Sequence, residues 1–125
     1  MKMTIETLEG KVWPEPEFQS SLVLTAHALR KKPIDELTSN DLRVAFNEDI
    51  GADFLKQRVL EVLKDEPEIG DLFDGDLILA VMRSQQFRYD EEFRKKISEK
   101  ADETLSKELD SQTRDEITDL KATNR

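Results

Sequence analysis

Apolar residues recur along most of the chain at spacings of three and four, the repeat that places side chains on one face of an α-helix. From Phe18 to Arg30 the face is Leu22, Val23, Ala26 and Leu29, and Lys31, Lys32 and Pro33 end it. Thr38 or Ser39 then offers a side-chain oxygen to the free amides of a second helix. Asp41 adds an acid to its first turn, and Leu42, Ala45, Phe46 and Ile50 form its inward face. Gly51 permits the left-handed turn that closes many helices, which predicts the end of this one there. Between Ala52 and Lys64 the stripe Leu55, Val59, Val62, Leu63 opposes Asp53, Lys56, Arg58 and Glu61, the clearest amphipathic pattern in the chain.

Proline and glycine in "DEPEIG", Asp65 to Gly70, predict a turn, and the stretch "GDLFDGDLILAVM", Gly70 to Met82, follows it. Its apolar run Leu77 to Met82 has the composition of a buried strand or a buried helix. No other segment offers a strand to pair with, so the reading is helix, with Asp76 as an N-cap worth about 1 kcal/mol. Beyond Ser84, the residues Tyr89, Phe93, Ile97, Ala101 and Leu105 recur every four positions amid dense mixed charge, which predicts one long C-terminal helix. A four-residue spacing overshoots the helical repeat by about 40° per step, so this stripe winds around its helix. From Ser111 only Ile117 and Leu120 remain as anchors. Residues 111–125 are therefore expected to fray, or to stay helical only against a neighbour. Gly10 to Glu17, with two prolines, reads as an extended entry segment in which Trp13 is better explained as a packing anchor than as a binding residue. The sum is an all-α chain, residues 1–125 as a single domain, a bundle of about five helices.

Composition narrows the classes. The 125 residues are 37% hydrophobic and 38% charged, enough for one core inside a charged surface. The absence of cysteine excludes disulfides, thiol nucleophiles and cysteine-ligated metals, and suits a reducing compartment. No signal-like leader or bilayer-length apolar run is present, which predicts a soluble cytoplasmic protein without a membrane partner. The net charge of −9 also disfavours direct nucleic-acid binding and favours a cationic partner. That charge is uneven: Asn47 to Asp76 carries ten acids and three bases, net −7, whereas the segments before and after are each net −1.

Candidate chemistry is sparse. Asp71, Asp74 and Asp76 surround a glycine, but a calcium loop of the EF-hand type closes with glutamate at its twelfth position, and the twelfth residue from Asp71 is Met82. A carboxylate-dependent metal hydrolase using Asp71 and Asp74 is the weakest alternative. The single histidine, His27, lies beside Ala26 and Ala28 and has no identifiable partner for a triad or a metal site. No phosphate loop, nucleophile elbow or HExxH motif occurs, so the chain reads as a non-enzyme, and no cofactor or metal is implied. What stands out is carboxylates at helix ends and in connecting turns: Glu48, Asp49 and Asp53, then Asp65, Glu66, Glu68, Asp71 and Asp74. Like charges so close oppose folding locally, and a cationic partner would relieve them. These eight are the candidate partner-binding residues.

Taken in order, "LRKKPIDELTSNDLR", "IGADFLKQRVLEVL" and "DEPEIGDLFDGDLILAVM" resemble segments of the small helical immunity proteins of bacterial contact-dependent growth inhibition (CDI) systems. The resemblance covers about Leu29 to Met82 and is most specific in the G-D-x-F-x-G-D-L arrangement at Gly70, Asp71, Phe73, Gly75, Asp76 and Leu77. Two departures, Glu48 where the family commonly has glutamine and Lys56-Gln57-Arg58 where it has a proline-containing apolar run, make this surface more charged. The resemblance implies a cytosolic protein that binds and neutralises the C-terminal toxin domain of an exported protein, often a nuclease. It implies no catalysis. On this reading the eight carboxylates face a cationic toxin surface, and Phe54 or Phe73, if exposed, adds affinity. The alternative of another class is an acidic adaptor or regulatory module. Whether the long C-terminal helix pairs with a second copy as a homodimer is open at this level.

Overall fold

The computed structural model describes residues 3–10, 14 and 20–123. Among them the chain forms eight α-helices and no β-strand: α1 (Ile5–Glu9), α2 (Ser21–Lys31), α3 (Ser39–Asn47), α4 (Lys56–Asp65), α5 (Asp76–Met82), α6 (Gln85–Tyr89), α7 (Glu91–Leu105) and α8 (Ser111–Thr123). Short 3₁₀ turns occupy Ile34–Glu36 and Ala52–Phe54. An isolated bridge pairs Thr4 with Pro33, and Ile34 N–H donates to Met3 O at 2.8 Å, tying α1 to the chain after α2.

Side-chain caps set several of the starts. The Ser20 hydroxyl accepts from Val23 N–H at 3.2 Å. Thr38 and Asp41 form a reciprocal capping box at α3, with Asp41 N–H to Thr38 Oγ1 at 3.2 Å and Thr38 N–H to Asp41 Oδ2 at 3.0 Å. Burial pushes the Asp41 carboxyl up, but the Lys32 ammonium at 2.8 Å and the Thr38 backbone outweigh it and hold the group below the usual aspartate value of 3.8.

The core is organised around α5, whose seven residues are all buried and which packs against α3, α6, α7 and α8. A helix apolar on every face has no solvent side, so it must sit centrally. Leu42, Ala45 and Phe46 of α3 and Val59 and Leu63 of α4 add the inward faces that their spacing predicts. Phe46 stacks on Phe93 of α7 at 6.4 Å between ring centroids, and the Lys56 ammonium lies 5.9 Å from the Phe93 ring.

The expected long C-terminal helix is three helices, and the count among the described residues is eight instead of about five. Asp90 breaks the first stretch: its backbone is extended, and its carboxylate accepts from Phe93 N–H at 3.0 Å, so α7 begins anew there. Tyr89, expected on the apolar stripe, is 76% exposed as a result. A second break follows Leu105, where the Arg114 guanidinium donates to Leu105 O and Lys107 O, both at 2.7 Å, and satisfies carbonyls that end α7. Residues 111–123 are helical throughout, with Ile117 fully buried against the core.

Smaller corrections have local causes. The first apolar helix begins after the Ser20 cap, and Leu22 and Val23 are exposed while Leu29 is buried where α2 packs against α1 and α3. Trp13 and Phe18 lie outside the described residues. Gly51 is left-handed as expected, at φ 62, but it opens the following 3₁₀ turn, and Asp49, at φ 52, is a second left-handed residue nearer the end of α3. A Cβ on Gly51 would come within 2.3 Å of Ile5 Cγ2, so this glycine admits α1 onto the core. Asp76 is not an N-cap either. Gly75 holds that position at φ 91, and the Asp76 carboxylate turns back toward the preceding loop.

Candidate partner-binding surface

The eight carboxylates fall into two groups at opposite ends of α3. Glu48, Asp49 and Asp53 lie in the connection from α3 to α4, where Gln86 Nε2 donates to Asp53 Oδ1 at 2.9 Å. Asp65 ends α4, Glu66, Glu68, Asp71 and Asp74 lie between α4 and α5, and Asp71 is joined to the start of α3 by the Ser39 hydroxyl at 2.7 Å. Nine residues of α3 separate the two ends, a rise of about 14 Å at 1.5 Å per residue. Sequence proximity thus overstates how close the two groups are.

Their electrostatic settings also differ. The first group shares its surroundings with Lys56, whose ammonium pairs with Asp90 at 2.8 Å; that hydrogen bond, with Phe93 N–H, holds the Asp90 carboxyl below the usual range. In the second group Asp65, Glu66, Asp71 and Asp74 are exposed, and none forms an ion pair with a described residue. Beneath them Glu68 Oε2 and Asp76 Oδ1 are buried without a hydrogen-bond partner among the described residues. The negative potential is therefore less compensated at the loop than at the α3–α4 connection.

The loop from Gly70 to Gly75 is built as a rigid projection. The buried Asp76 carboxylate accepts from Asp71 N–H at 3.0 Å and Leu72 N–H at 2.7 Å, replacing the strand or helix partners that those amides lack. Gly75 N–H donates to Glu68 O at 2.7 Å, and Asp76 N–H to Phe73 O at 3.1 Å. Gly70 must remain bare, since a Cβ there would lie 1.9 Å from Phe73 O. These bonds turn the two intervening apolar side chains outward: Leu72 is 69% exposed and Phe73 44%. Phe54, the other aromatic singled out in the sequence, is exposed beside Asp53 at the opposite end of α3.

An exposed leucine–phenylalanine pair flanked by aspartates on a hydrogen-bonded loop suits protein recognition better than catalysis. Apolar anchors gain affinity when a partner covers them, and a loop already fixed loses little entropy on binding. Acid-base chemistry would need a carboxyl held in a pocket, whereas Asp71 and Asp74 stand in solvent. Among the described residues, no group of three or more His, Asp or Glu side chains could hold a metal ion, so Asp71, Asp74 and Asp76 do not converge on one. Nor is any helix of the described residues long and apolar enough to cross a membrane. Leu72 and the Ser39 tether escaped the sequence reading. The signal for Leu72 was its place between Asp71 and Phe73, and nothing local announced Ser39.

The family model of the CDI immunity proteins matches residues 7–102. That span contains α2 to α6, nearly all of α7 and the whole Gly70–Gly75 loop, and extends well beyond the Leu29–Met82 resemblance read from motifs. No curated protein matches the chain significantly.

Proposed function

Since the chain belongs to the CDI immunity proteins, we propose that it acts in the cytoplasm by binding and neutralising the C-terminal toxin domain of a CDI exoprotein, without catalysis of its own. The toxin in this reading is a nuclease. A nuclease site is cationic in order to hold phosphate, and carboxylates on a protein inhibitor occupy or cover such a site as phosphate mimics. The net charge of −7 over Asn47 to Asp76 supports that partner chemistry.

The observation that carries the reading is the Leu72–Phe73 projection, apolar, exposed and fixed between Asp71 and Asp74. Apolar contact supplies the affinity, and the carboxylates at Asp65, Glu66, Glu68, Asp71 and Asp74 supply steering and selectivity. Glu48, Asp49 and Asp53 extend the field from the other end of α3. Steering of this kind raises association rates toward about 10⁸ M⁻¹s⁻¹ at low salt, which favours a protector that must reach toxin before its substrate does.

Two measurements test the reading. Co-expression with the toxin domain encoded beside this chain's gene should restore growth and yield a complex; no rescue and no complex would overturn it. Changing Asp65, Glu66 and Glu68 together to lysine should slow association and flatten its salt dependence in stopped-flow experiments. An unchanged rate would place the steering charge elsewhere.

A further inference from the structure

Phe73 has a neighbour that the acidic loop alone does not explain. Its ring and Leu79 of α5 form one wall of an open groove of about 270 Å³, and Asp110, Gln112, Thr113 and Glu116 at the start of α8 form the other. The first wall lies inside the stretch matched to the immunity proteins; all four residues of the second lie beyond its end at residue 102. The two elements approach closely at Gly75, where an added Cβ would come 3.2 Å from Thr113 Cγ2. Ile117, one turn further along α8, is fully buried, so this wall does not drift from the core.

The lining is apolar on the Phe73 side and acidic on the other, with no basic side chain in it. Arg83, just after α5, pairs with Glu116 from outside the groove. Asp110 has no ion-pair partner among the described residues; its Oδ2 accepts from Gln112 N–H at 3.1 Å, leaving Oδ1 for a ligand. Phe73 is half-exposed in spite of the fold around it. An exposed aromatic ring and an unpaired carboxylate lining one groove suit a side chain with a long apolar stem that ends in a planar cation.

We propose that this groove receives an arginine side chain of the toxin domain, a proposal that rests on the immunity reading above. The side chain lies along Phe73, its guanidinium stacks on that ring, and its N–H groups donate to Asp110. The contact needs α8, so the family-matched stretch cannot make it alone. It also gives Phe73 two roles, as an anchor on the loop and as one wall of the slot.

The test is titration calorimetry of the full chain against the purified toxin domain encoded beside its gene, with melting temperature as the control for folding. Gln112→Trp fills the groove from an exposed position and should weaken binding by about 100-fold. Asp110→Asn keeps an oxygen for the Gln112 amide while removing the charge, and should weaken binding by about tenfold. Both losses at unchanged melting temperature support the groove. Affinity within about twofold of wild type in both variants overturns it and leaves the immunity reading standing. A wild-type chain that does not bind the toxin domain at all overturns the immunity reading and the groove with it.

Discussion

Leu72 and Leu77 are five positions apart, yet Leu72 is 69% exposed and Leu77 is fully buried. The loop that carries the first and the helix α5 that carries the second come from one continuous apolar-rich stretch, and hydrophobicity does not separate them. Backbone hydrogen bonding does. In α5 the helical ladder begins with Leu79 N–H to Gly75 O at 3.1 Å, and the helix directs its side chains into the core on all sides. In the loop the amides of Asp71 and Leu72 are held by the Asp76 carboxylate, and that geometry aims Leu72 and Phe73 away from the core. Leaving a leucine in water forgoes roughly 1.5–3 kcal/mol of burial. A loop fixed so as to forgo it suits a partner that covers it, whereas α5, with all seven residues buried, serves the core first.

The contrast can be broken at either side. Truncating α5 by Leu77→Ala should have the largest effect, a loss of about 2–5 kcal/mol in denaturant unfolding, because the cavity opens where α3, α6, α7 and α8 meet. A loss below about 1 kcal/mol would mean that α5 is not the centre of the core. Asp76→Ala should cost about 1–3 kcal/mol by leaving the Asp71 and Leu72 amides without their acceptor. Its signature is faster hydrogen exchange confined to the loop, and uniform acceleration across the chain would contradict the bracing role. The smallest effect is electrostatic and lies outside the contrast, as a control on it. The Asp41 carboxyl is held below 3.8 in the folded chain, so its stabilisation is present above that value and is lost as pH falls through the lower folded value. Asp41→Asn should therefore lower stability near neutrality and flatten its fall below pH 3.8 in thermal melts at stepped pH. An acid limb as steep as that of wild type would remove Asp41 from the account.

Much of the framework was legible because it depends on local patterns. Thr38 with Asp41 spelled a helix start, the Leu55–Val59–Leu63 stripe spelled an inward face, and Leu77 to Met82 could only be buried. What failed depended on competition between local and distant partners. Asp90 outweighed the four-residue stripe by capping a new helix, and Arg114 closed α7 from nine residues away, so one long helix became three. The acidic residues were countable in the sequence, but their division between the two ends of α3 required the fold. Asp76 looked like a cap because an aspartate before an apolar run usually is one. Its turn toward Asp71 and Leu72 is set by Gly70 and Gly75, whose bare backbones make room for the loop.

The central claim is that Leu72 and Phe73 are displayed for a toxin domain and contribute little to the fold, and the affinity of the Leu72→Ala/Phe73→Ala double variant for that domain tests it most directly. The account predicts binding weakened by at least about 100-fold by calorimetry while the melting temperature stays within a few degrees of wild type. Undiminished affinity, or a loss that merely tracks a large fall in stability, would contradict it.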